Sequence, residues 1–261
     1  MLKVGVFDSG LGGLTVVKAL NQVINNAQIF YVADTNNAPY GEKTPEQILQ
    51  FSLNITQYLV RTYQIDVLVL ACNTATSFAI ESLRSLYPSL IIVGTEPGIK
   101  PAIAQTKTGK IGILATPATL RGDKYQALAN TFASQQDITL YEQACPGLVE
   151  KIESGYMDGP ETRLLLEEWV LPMKDEGVDT IVLGCTHYPL VGTMIRNIMF
   201  PELTLIDTGL AIAKRVLSLV DQQGHLNRGH NDIQIEHTGE IQNDMVKTIL
   251  KSAYTTTTIN I

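Results

Sequence analysis

The sequence predicts an α/β fold in two pseudo-symmetric halves with mainly parallel sheets, and three observations carry that prediction. Short apolar runs rich in Val and Ile alternate with longer stretches of helical pattern, as buried parallel strands joined by crossover helices do. The stretches Val67 to Thr74 and Thr180 to His187 echo each other, each an apolar run ending in Cys and followed by small hydroxyl, amide or imidazole groups. Two further echoes keep the same order: Lys3 to Gly10 is answered by Lys110 to Pro117, and Ile92 to Thr95 by Leu205 to Thr208. The expected halves are residues 1–95 plus 208–261, and 96–207, with an active site in the cleft between them. Ligands of parallel sheets bind beyond the carboxyl ends of strands, so each Cys is expected to open onto that cleft.

The first strand reads as Leu2 to Phe7, and Asp8-Ser9-Gly10-Leu11-Gly12-Gly13 as a glycine-rich turn into a helix from Leu14 to about Asn21. Such a turn presents amide groups to an anion. A nucleotide phosphate is one reading, but Asp8 at the mouth repels phosphate and no Walker lysine follows. A carboxylate is the other, with Asp8 left for an ammonium group or for proton chemistry. Gln28 to Val32 is the second strand. The polar loop Ala33 to Lys43, longer than a connection needs, fits either a binding role or a solvated turn. Thr44 caps, and Pro45 begins, a helix to about Tyr63.

Beyond the first Cys strand, Thr74 to Leu86 is read as a helix, Leu90 to Val93 as a strand and Pro97 to Thr106 as a helix into the second half. Lys110 to Ala115 is a strand followed by the loop Thr116 to Arg121, in which two hydroxyls replace acid and glycines. Asp137 to Tyr141 is a strand, and Cys145-Pro146-Gly147-Leu148-Val149-Glu150 opens a short helix. Cys145 has no counterpart in the echo and is read as structural; Glu150 in isolation reads as a solvated helical glutamate. Pro160 to about Lys174 is an amphipathic helix whose Trp169 is read as core. The second Cys strand is followed by a helical stretch, the strand Leu203 to Ile206 and a helix from Thr208 to about Val220. In the tail, Gln222 to Asn231 reads as a loop, Asp232 to His237 as a strand, Asn243 to Lys251 as a helix and Tyr254 to Ile259 as an edge strand. His225, His230 and His237 lack metal-ligand spacing and are read as surface residues.

Composition narrows the function classes. With 261 residues and 45% hydrophobic content, the chain supports a large buried core. No apolar run reaches membrane-span length and no targeting segment is evident, so the expected compartment is the cytosol and no membrane partner is expected. A net charge of −7 argues against nucleic acid as the main partner and leaves an anionic substrate to local donors. Three cysteines cannot all pair, and a cytosolic setting leaves them as thiols.

Four chemistries suit Cys72 and Cys185. As core filler, the pair would leave the echo without a reason. As zinc ligands with His187, they lack a second pair to complete four, and Cys185-Thr186-His187 is not a usual zinc spacing. A single nucleophile would leave the other Cys superfluous, and a phosphatase loop needs Arg where Phe78 stands. A pair of acid–base thiols uses both: inverting a stereocentre requires removing a proton from one face and delivering one to the other, and a thiol ionises near enough to neutrality for either task. Asp8 near one and His187 near the other are unlike neighbours able to set opposite starting states.

The segments Asp8 to Val16, Pro39-Tyr40-Gly41, Ala71 to Ala75, Cys145 to Glu150 and Gly184 to Leu190 together resemble the motif set of the bacterial glutamate racemases. The resemblance runs from the first strand to about Ala213. It implies cofactor-independent interconversion of L- and D-glutamate, supplying D-glutamate for peptidoglycan. By position it implies Cys72 and Cys185 as the two bases, assisted by Asp8, Glu150 and His187. It assigns substrate contacts to Asp8, Ser9, Pro39, Tyr40, Gly41, Asn73, Thr74, Thr116, Thr119, Thr186 and His187. No cofactor and no metal are expected; the partner is a small molecule, glutamate, with a homodimer left open. Ala75-Thr76 and Asp207-Thr208-Gly209-Leu210 depart from the usual pattern and bear on fine specificity. An aspartate racemase and a non-catalytic amino-acid-binding protein are the alternatives.

Overall fold

The computed structural model describes residues 1–133, 137–224 and 227–261. In chain order, the first elements are β1 (Leu2–Asp8), α1 (Leu14–Val23), β2 (Ala27–Ala33), α2 (Pro45–Tyr63), β3 (Val67–Leu70), α3 (Asn73–Leu86) and β4 (Ile91–Gly94). Thr44 starts α2 as expected: its hydroxyl accepts from the Gln47 amide while the Gln47 side chain accepts from the Thr44 amide. Next come α4 (Ile99–Gln105), β5 (Lys110–Ala115), α5 (Pro117–Arg121), α6 (Asp123–Ala133), β6 (Thr139–Ala144), α7 (Leu148–Glu153), α8 (Pro160–Asp175), β7 (Thr180–Gly184), α9 (Gly192–Ile198) and β8 (Thr204–Ile206). The tail adds α10 (Gly209–Asp221), β9 (Asp232–His237), α11 (Asn243–Leu250) and β10 (Thr255–Thr258).

Two compact units result, residues 1–95 with 209–261, and residues 96–208. The first holds a six-stranded sheet in the order β10-β9-β2-β1-β3-β4, the second a four-stranded sheet in the order β6-β5-β7-β8, and all pairings are parallel. The second sheet thus repeats the run β2-β1-β3-β4. Inner strands β3 and β7 are buried along their whole length, which is why they read as unbroken apolar runs. Fully burying each such Val, Leu or Ile contributes about 1.5–3 kcal/mol. In the first unit α1 packs on α10 and α11, and α2 on α3.

In each sheet the order reverses direction at one place, between β1 and β3 and between β5 and β7. Connections leave those neighbouring strands in opposite senses, so a crevice forms beyond their carboxyl ends. There the chain puts Asp8 to Gly13 beside Cys72, and Thr116 beside Cys185.

Several expectations are corrected. Thr116 to Arg121 is not a loop: Thr116 caps the helix α5 by accepting from the Thr119 amide. Helix α6 was unforeseen. The strand expected at Asp137 to Tyr141 is β6, displaced to Thr139–Ala144 because it pairs with all of β5 from an exposed sheet edge, where polar residues carry no apolar signal. His237 is half-buried rather than on the surface, its Nδ1 2.6 Å from the Gly239 carbonyl. His230 is exposed and Trp169 is buried, both as read. His225 lies outside the described residues, as does part of the loop expected at Gln222 to Asn231. Among the described residues no helix is long and apolar enough to cross a membrane.

Candidate active site

The first group of site residues surrounds Cys72 at the carboxyl end of β3. The sulfur accepts from the Ala75 amide at 3.4 Å and so caps α3. An amide and the positive end of a helix both stabilise negative charge on that sulfur. As a thiol, Cys72 donates to Ser9 Oγ, 3.9 Å away. Asp8, wholly buried, ends β1, and its Oδ1 accepts from the Gly10 amide at 2.9 Å. The following turn is tight: a Cβ on Gly13 would lie 2.6 Å from the Asp8 Cβ and 2.9 Å from the Tyr31 hydroxyl.

Tyr40 belongs to the same unit and is buried, with Pro39 and Gly41 half-buried on either side. Its hydroxyl donates to Asp34 Oδ2 at 2.6 Å. Burial first, then the Asp34, Cys72 and Asp8 charges, hold its phenol well above the usual range, so it stays protonated. Buried Asp34 also accepts from the Asn37 amide group at 3.1 Å and from Thr238 Oγ1 at 2.8 Å. The loop from 34 to 40, left open between binding and solvation in the sequence, is thereby tied to the strand end of β9. Asn73 and Thr74 open α3 and are buried.

The second group lies at the carboxyl end of β7. Gly184 permits close pairing with β5, since a Cβ there would meet the Ala115 Cβ at 2.8 Å. Cys185, Thr186 and His187 follow, all buried. His187 Nδ1 is 3.6 Å from the Cys185 sulfur and 3.5 Å from Thr186 Oγ1, while its Nε2 is 2.5 Å from Glu153 Oε1. Burial alone would lower the imidazole, but the Cys185 sulfur and the Glu153 carboxylate outweigh it and hold His187 well above the usual histidine range. At the end of β5, Thr116 Oγ1 donates to Thr119 Oγ1 at 2.9 Å, and both residues are buried.

The carboxylate that reaches His187 is that of Glu153, not Glu150. Both lie on α7 one turn apart, and half-buried Glu150 is felt instead by the Tyr188 phenol, whose hydroxyl donates to the Cys145 carbonyl at 3.4 Å. Cys145 is a buried thiol pushed up to about 12 by burial, with Cys185 nearby adding to the shift. Glu153, Asp34 and Thr238 were not singled out from the sequence. For Glu153 a signal existed, because i and i+3 on a helix share a face. Among the described residues no group of three or more His, Cys, Asp or Glu is placed to hold a metal ion.

The two thiols therefore have unlike neighbours. Cys72 sits with a hydroxyl, a buried carboxylate and a helix amino terminus; Cys185 sits with an imidazole whose cationic form the sulfur and Glu153 favour against the effect of burial.

Comparison with known proteins extends this picture over the whole chain. Residues 4–216 match the family described as Asp/Glu/Hydantoin racemase. A glutamate racemase of Sulfurovum sp. is 61% identical over 95% of this chain and 94% of its own. The crystal structure of glutamate racemase isoform RacE1 from Bacillus anthracis superposes with a TM-score of 0.87 at 26% identity, covering 100% of this chain and 98% of that one. Escherichia coli glutamate racemase, solved in complex with L-glutamate and the activator UDP-MurNAc-ala, has a TM-score of 0.85 at 27% identity and covers 98% of this chain and 97% of its own. The chain belongs to the Asp/Glu/Hydantoin racemase family, where it groups with the glutamate racemases, and is an isomerase.

Proposed function

We propose that the chain interconverts L- and D-glutamate by two-base proton transfer at Cα, with Cys72 serving one face and Cys185 the other and no cofactor involved. The supporting observation is the pair of buried thiols at corresponding strand ends of two like sheets, each beside a topological switch point and each with a different set of neighbours.

In either direction one sulfur enters as thiolate and the other as thiol. The thiolate takes the Cα proton, the C–H electron pair passes into the carbon and its carboxylate, and the opposite thiol delivers its own proton to the other face. Nothing is oxidised or reduced, and the two cysteines have exchanged states. His187, held by Glu153, stabilises a thiolate at Cys185; the Ala75 amide does so at Cys72. Ser9, Asn73, Thr74, Thr116, Thr119 and Thr186, with the backbone of Pro39-Tyr40-Gly41, provide the polar contacts that hold the substrate and stabilise its carbanionic transition state. Asp8 is assigned to the substrate ammonium group or to proton traffic at Cys72. In this reading Glu153 takes the assisting role that the motif resemblance gave to Glu150. In this reading the enzyme works in the cytosol and its D-glutamate goes to peptidoglycan; a homodimer is compatible with this role.

The test is racemisation by purified protein with no added cofactor, with glutamate and aspartate assayed side by side. Turnover of glutamate, abolished in Cys72→Ala and in Cys185→Ala, is the expected result. Full activity in both variants would overturn the mechanism. Faster turnover of aspartate would overturn the substrate, and affinity for glutamate with no turnover would leave a binding protein.

A further inference from the structure

Tyr31 lies within β2, paired with Val6 of β1, and its side chain is fully buried. A core position there could be filled by Phe, but Tyr31 has a hydroxyl, and that hydroxyl donates to the Gly10 carbonyl at 2.5 Å. The Gly10 amide in turn donates to Asp8 Oδ1 at 2.9 Å. Gly10 is therefore gripped on both of its peptide planes, one by a phenol and one by a carboxylate. The residue immediately before it is Ser9, whose Oγ takes the Cys72 thiol hydrogen bond. Gly13, just ahead of α1, also leaves no room for a side chain against the same phenol: a Cβ built there would lie 2.9 Å from the Tyr31 hydroxyl.

We infer that Tyr31 is a positioning residue for Cys72, fixing the Asp8–Gly13 turn through Gly10 so that Ser9 meets the sulfur in one geometry. The inference builds on the reading of Cys72 as a base, yet part of its test does not require catalysis. Without the phenol the Gly10 carbonyl loses a donor in a buried setting and the turn gains freedom to rotate.

The test is Tyr31→Phe, which keeps the ring and removes one oxygen. Cys72 and Cys185 are alkylated with iodoacetamide over a range of pH, with site-resolved mass spectrometry, in wild type and variant. A change of roughly threefold or more in the Cys72 rate, with Cys185 unchanged, is expected. The kcat/KM for glutamate should fall about tenfold. In a Ser9→Ala background the same substitution should cost less than about twofold, because the two residues act along one path. A lower Tm with unchanged Cys72 alkylation and unchanged kinetics would overturn the inference. So would additive effects of the two substitutions, or a Tyr31→Phe chain that does not fold, since either makes the residue a core support. Failure of the reading of Cys72 as a base would appear separately, as racemase activity surviving in Cys72→Ala.

Discussion

Replacing Glu153 with Gln leaves a side chain of the same shape beside His187 Nε2 and removes its charge. A hydrogen bond to a charged group is worth about 1.5–3 kcal/mol, which disfavours the imidazolium by roughly ten- to 150-fold. Glu153 is 20% exposed while His187 is 1% exposed, so water screens the pair partly and the lower half of that range applies. The folded-state value of His187 is raised, so the stability it contributes is fully present below the unfolded value and is lost as pH rises through the folded one. Urea unfolding of wild type and Glu153→Gln over a pH series should therefore show the largest difference below about pH 6.5, narrowing as the pH rises. The limb of the kcat/KM profile that belongs to His187 should move to lower pH in the same variant. Glu150→Gln should leave both unmoved. A pH-independent stability difference with an unmoved limb, or the same behaviour from Glu150→Gln, would refute the pairing.

Thr44→Ala removes the reciprocal cap of α2 and should cost about 1 kcal/mol in urea unfolding while leaving kcat unchanged. Gly13→Ala places a methyl 2.6 Å from the Asp8 Cβ, an atom with no freedom to swing aside; a loss of about 1–3 kcal/mol and a fall in kcat/KM are expected from thermal melting and kinetics. Cys145, a thiol pushed up to about 12, should resist alkylation at pH 8, and Cys145→Ala should keep racemase activity within about threefold of wild type.

The strands were legible because burial on both faces forces continuous apolar runs, and the Cys at the end of two such runs marked the site. Thr44-Pro45 announced the start of α2. The same Thr-Pro pair stands at Thr116-Pro117 and starts α5; its hydroxyls were instead read as loop chemistry. Edge strand β6 was misplaced because its outer residues are polar and solvated. Glu153 was missed because a helix gives Glu150 and Glu153 nearly one face, and only the approach of His187 from β7 selects between them. The bond from Thr238 to Asp34 and that from Tyr31 to Gly10 join residues distant in sequence, with no periodicity to betray them. Local rules place strand ends; which side chain leans on which is decided by packing between elements.

The central claim is that two different groups serve the two faces of one carbon. A short reaction of L-glutamate in deuterium oxide, stopped before a tenth of the substrate has turned over, tests it most directly. Two bases predict that the D-glutamate formed carries deuterium at Cα while the recovered L-glutamate still carries hydrogen. Early deuterium in the recovered substrate at the rate of product formation, or hydrogen retained in the product, would contradict it.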